Sequence, residues 1–145
     1  MIRSERWGDN WLAAAPPGAV AVDLGRSAKS RRAQRRSVRD LPPATPVVLR
    51  ASAPAALARC RRFAAEAGIE VEREYLAFPS ARAPAFLVED AAPTIGVFVE
   101  TALVTPPRTP FSTPIEACLG ALRALRPWRL IRRIAPGRVV VGSRR

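Results

Sequence analysis

The chain has 145 residues, the length of one ordinary domain with a single core, and carries 24 lysines and arginines against 12 aspartates and glutamates, for a net charge of +12. It has no histidine, which excludes histidine-based general bases, nucleophile activation and metal ligation. The excess charge has two readings: an anionic partner, or the arginine-, alanine- and proline-rich product of a GC-rich coding sequence, since Lys29 is the sole lysine.

The opening "MIRSERWGDNW" has charge but no following apolar stretch of a signal peptide, and no apolar run approaches the ~20 residues of a membrane helix. A cytoplasmic protein without membrane contact is expected. Ser4 to Ala15 can form a short helix with Trp7 and Trp11 on one side, ended by Pro16-Pro17-Gly18, so residues 1–18 read as an N-terminal helical arm. "AVAVDL" is a short buried strand. Residues 28 to 40 form a very basic helix, stopped by "LPPATP", and "PVVLRA" is a second apolar strand. Ser52 is placed to cap the next helix, in which Leu57, Cys60, Phe63, Ala64 and Ala67 keep the spacing of a core-facing stripe up to Gly68.

Beyond Gly68 the period changes to two. Ile69, Val71, Tyr75 and Ala77 alternate with Glu70, Glu72 and Glu74, which predicts a strand with one apolar and one solvated acidic face. Three like charges on one strand lack the convergent partners of a metal site, and none is assigned. A proline-marked loop and a short strand at Ala85 to Val88 follow. "TIGVFVETALV", around residues 94–104, fits strand or helix, and its length and flanking prolines favour helix. Thr113-Pro114-Ile115-Glu116 is a capping box, and Ile115, Cys118, Leu119, Leu122 and Leu125 make the buried stripe expected behind it. Pro127 restarts the helix, with Leu130, Ile131 and Ile134 apolar and Arg129, Arg132 and Arg133 outward. "RVVVG" is the last strand. Cys60 and Cys118 both read as core thiols of a reducing compartment.

Two candidate sites emerge. Asp23, ending the first strand, is a weak candidate for a catalytic carboxylate, against the plainer reading of an aspartate that caps its own turn. Arg31, Arg32, Arg35, Arg36 and Arg39 form a comb on the basic helix suited to an anion, and they support weak polyanion binding as an alternative function. The turn between strand and helix, "DLGRSAKS", lacks both glycines of a phosphate-binding loop: Ala28 precedes Lys29-Ser30, and Asp23 occupies the earlier position. Gly25 alone does not make a dinucleotide loop.

The element order, the "AEAGIEVEREYLAFPS" junction and the terminal "RLIRRIAPGRVVVGSRR" resemble the second half of a class I S-adenosylmethionine-dependent methyltransferase: strands four to six with their helices, then a late antiparallel strand seven. The resemblance implies a partial Rossmann-like α/β fold over residues 19–145, with a mostly parallel sheet carrying helices. It also implies modification of a sugar or small metabolite, by a remnant without catalysis or by one part of a split enzyme. The family's cofactor loop and its strand-two acid would both lie before this segment. No cofactor is therefore expected for the isolated chain, and S-adenosylmethionine only where a partner completes the fold. The family's strand four pairs with strand one, so Ala19 to Leu24 is expected to seek a second copy or a partner chain.

Overall fold

In a computed structural model of the chain, residues 8–25, 27–102 and 112–145 are described. Trp7, and the side chains of Thr113 and Ile115 in the expected capping box, fall outside the description. A 3-10 turn at Asn10–Ala14 precedes β1 (Val20–Asp23), α1 (Ala28–Arg39), β2 (Pro46–Ser52), α2 (Ala56–Ala67), β3 (Ile69–Phe78) and β4 (Phe86–Glu89). Then come α3 (Ala92–Thr101), α4 (Ser112–Leu125), α5 (Trp128–Ile134) and β5 (Gly137–Arg144). The ambiguous segment after β4 is thus helical as far as Thr101. Where it is described, the arm contains a 3-10 helix, Asn10–Ala14.

The chain is α/β, but its sheet is not mostly parallel. Strand order is β1-β2-β5-β3-β4, and only β1 and β2 pair in parallel. β5 inserts antiparallel between β2 and β3, and β4 returns from β3 as a hairpin. β1, β2 and β3 do run the same way, as their helical crossovers require, yet the late strand separates the last two and converts both contacts to antiparallel.

The register places Val47, Leu49 and Ala51 of β2, Val140 of β5 and Leu76 of β3 on one face, since directly paired residues share a side. α1 and α2 cover the first part of this face, around Phe63, Cys60, Ala64 and Val38. α3 and α5 cover the second, with Ile95, Val99, Phe98 and Ile131 on Leu76 and Val88. On the opposite face Trp11, Ala14 and Ala15 pack against Val48, Val139, Val141 and Ala77.

Several local expectations are revised. Ser52 ends β2 and does not cap α2; Ala55 stands at the N-cap with φ 56° and offers no side-chain acceptor. The first buried residue of α2 is therefore Ala56, and Leu57 lies at the margin. A β-bulge between Val71 and Arg73 breaks the alternation of β3. Ile69 joins the helix-side core, whereas Tyr75 and Ala77 turn to the other face, because one extra residue reverses every side chain beyond it. The described part of the stripe on α4 is only partly buried: Cys118 is exposed and Leu125 is 78% exposed, while Leu122 reaches the core. In α5 Ile131 is the buried residue, and Leu130 and Ile134 face outward.

β5 crosses close to its neighbours. A Cβ on Gly142 would stand 2.1 Å from the carbonyl oxygen of Glu70, and one on Gly137 would stand 2.4 Å from the amide nitrogen of Ala81. Both obstacles are backbone and cannot rotate away. Gly142→Ala is expected to destabilise the fold by more than roughly 2 kcal/mol, the range for a clash that must move a strand. Chemical denaturation with an unchanged midpoint would refute this packing of β5.

Candidate functional site

The carboxyl ends of parallel strands are where α/β folds open a crevice, because the chain leaves each strand for a helix there. Here β1 and β2 end side by side. A crevice of about 370 Å³ lies over them, lined by Asp23, Gly25, Arg50, Ser52, Arg59 and Arg82 among others. Asp23 and Arg50 are register partners across the two strands, and the Asp23 carboxylate accepts a hydrogen bond from Arg50 Nη2 at 2.8 Å. Arg50 also lies over the Trp11 ring, 4.5 Å from its centroid. The backbone carbonyl of Asp23 accepts from Gln34 of α1 at 2.8 Å. The candidate carboxylate is thus engaged in an ion pair at the crevice wall.

The arginine comb divides. Arg31 donates to the Gly25 carbonyl at 2.8 Å, Arg35 pairs with the Glu66 carboxylate, and Arg39 donates to the Glu66 carbonyl at 3.1 and 2.5 Å. These three residues tie α1 to its own entry turn and to α2. Arg32 and Arg36 are exposed, and their side chains have no hydrogen-bond or ion-pair partner among the described residues.

The structure adds residues that patterning did not single out. Arg59 and Arg62 of α2 face α1, forming with Arg31, Arg32, Arg35 and Glu66 the walls of a groove of about 550 Å³. Arg59 lines both this groove and the crevice, and it donates to the Ser52 carbonyl. Arg62 bonds Glu66 at 2.9 Å, and this hydrogen bond is the main cause that holds the Glu66 carboxyl below its ordinary value. The spacing of Arg59, Arg62 and Glu66 beside the apolar stripe of α2 was the available signal. Arg50, a lone charge inside an apolar strand, was another.

Away from the crevice, Arg138 of β5 is 1% exposed and pairs with the buried Asp90 at 2.5 Å; Arg132 of α5 pairs with the same carboxylate. This is a structural clamp between β5, the β4–α3 turn and α5. Cys60 is buried as expected, and burial pushes its thiol up to about 12, so it is not a nucleophile at neutral pH. Glu74, on the strand read as acidic, receives both ends of an Arg61 fork at 2.9 Å. Among the described residues no group of three potential His, Cys, Asp or Glu ligands could hold a metal ion, and no helix is long and apolar enough to cross a membrane.

No family model matches this chain, and neither a curated protein nor a solved structure is significantly similar to it.

Proposed function

We propose that the chain is a methyltransferase-like half-fold, without methyl transfer of its own, that acts on a sugar or small metabolite only when a partner supplies the cofactor-binding half. One observation carries this reading. Among the described residues β1 pairs with β2 alone, at an edge of the sheet, and its carboxyl end opens into the crevice that holds Asp23. The resemblance implies a neighbouring strand at that edge, with a cofactor loop beyond it. The succession of β1, β2 and β3 with intervening helices, followed by the late antiparallel β5, supports the same ancestry.

Two measurements test it. Gly25 is the only glycine between β1 and α1, and a polypeptide turn with side chains cannot bring its main chain against a cofactor. The isolated protein should therefore bind S-adenosylmethionine no better than an unrelated basic protein; saturable micromolar binding by calorimetry would overturn the half-fold reading. Without its partner, the β1 edge should pair with a second copy. The molar mass by light scattering is expected to rise with concentration, and Ala21→Lys, at an exposed position of β1, should restore the monomer. A concentration-independent monomer in the unsubstituted protein contradicts the open edge.

The second reading is a basic module that binds polyanions, and the exposed Arg32 and Arg36 favour it. Binding to single-stranded oligonucleotides is expected to be weak and indifferent to sequence, with log affinity falling linearly with log salt as counterions are released. Arg32→Ala combined with Arg36→Ala should flatten that slope. Tight binding that discriminates between sequences at physiological salt rules out this form of the reading.

A further inference from the structure

The groove between α1 and α2 is strongly charged. Five guanidinium groups, from Arg31, Arg32, Arg35, Arg59 and Arg62, face one carboxylate, that of Glu66. The side chain of Arg62 is 82% exposed and that of Arg35 27%, so solvent screens part of the repulsion among these like charges, and what remains favours an anion between them. Glu66 offsets part of the charge through Arg35 and Arg62.

Arg59 is held differently. It donates to a backbone carbonyl, that of Ser52 at the end of β2. Carbonyl anchoring orders a guanidinium and removes rotamer freedom without cancelling its charge, which is how a site is preorganised for an anion. The helix ends add to the field. α1 and α2 follow parallel strands, neither has an acid in its first turn, and α1 places Lys29, Arg31 and Arg32 near its N-terminus. That is the reverse of what a helix dipole favours in isolation.

From this geometry we infer that the α1–α2 groove is a binding site for a compact ligand with two or three adjacent phosphates. The inference rests on the second reading above and assigns it a location and a ligand class. The groove volume of about 550 Å³ lies within the size range of small-molecule sites. Its α1 wall runs from Ala28 to Arg35, a rise of roughly 10 Å at the helical rise per residue, which accommodates a linked oligophosphate. Phe63 at the groove is 2% exposed and offers no face on which a nucleobase could stack. The site therefore selects phosphate charge, with arginine forks suited to bidentate contacts.

Arg32 and Arg129 make a matched pair for the test: each is an exposed arginine on a helix, but only Arg32 lines the groove. Tripolyphosphate is titrated calorimetrically into the full chain at physiological salt. Saturable one-to-one binding is expected, weakened about tenfold by Arg32→Ala, the loss of one charge-assisted contact, and hardly changed by Arg129→Ala. Arg59→Ala, checked for folding by circular dichroism, should weaken it at least as much. Absence of saturation, equal losses from Arg32→Ala and Arg129→Ala, or equally tight binding of inorganic sulfate would each overturn the site. A parallel salt titration with a single-stranded oligonucleotide separates the levels. If the oligonucleotide binds while tripolyphosphate does not saturate, the groove inference fails and the polyanion reading stands; if neither binds, both fail.

Discussion

The fold depends on β5 occupying the middle of the sheet. This strand follows the other described elements in chain order, yet it hydrogen-bonds to β2 on one side and β3 on the other, and residues Gly137 to Val141 are all buried. Without it the parallel pair β1-β2 and the hairpin β3-β4 would share no ladder. Val140 completes the core under α1 and α2, while Val139 and Val141 complete the opposite face under Trp11. Its neighbours come so near at Gly137 and Gly142 that a methyl group meets backbone at both positions. The centre of the sheet is thus assembled from segments far apart in the chain, a topology rich in nonlocal contacts.

Charge supports the same strand from beneath. Arg138 sits on the helix side of β5, where a valine would be the ordinary residue, and its guanidinium is balanced by Asp90 and shares that carboxylate with Arg132. A buried pair of this kind adds little net stability over an apolar substitute, but removing one partner leaves a charge stranded in the core at a cost of roughly 3–5 kcal/mol. Its effect is to fix which way α5 and the β4–α3 turn approach the strand. On the other side of the sheet, the Asp23–Arg50 pair is partly exposed and is worth at most about 1 kcal/mol. Its consequence is positional: it joins the ends of β1 and β2 at the lip of the crevice.

Local signals made most elements legible. Alternating strand and helix patterns located β1, α1, β2, α2 and β4, and Gly68 at φ 71° ends α2 where a left-handed residue was needed. Strand order was not legible from those patterns. A run such as "RVVVG", apolar at successive positions, announces burial on both faces but names no neighbours, and nothing local shows that it enters between β2 and β3. The bulge in β3 was hidden for a related reason: Glu72 continues the polar alternation, so the sequence period carries on across a register shift that reverses the backbone. The comb on α1 was visible as charge, but its partition was not. Whether an arginine faces solvent, a carboxylate or a carbonyl depends on α2, and Glu66 lies 27 residues beyond Arg39.

That partition also bears on why the chain is so basic. A coding bias toward arginine would scatter the residue over whatever surface tolerates it, with no relation between the arginines of separate helices. Many of the arginines described here are accounted for without a ligand: Arg50, Arg61, Arg132 and Arg138 meet carboxylates that lie in register or directly across a packed contact. The α1–α2 groove differs because arginines from two helices converge on one space with Glu66 as their only acid. Mutual repulsion opposes that convergence unless something else is gained from it. The proposed anionic ligand would account for what compositional bias leaves open, the placement of these arginines in the groove.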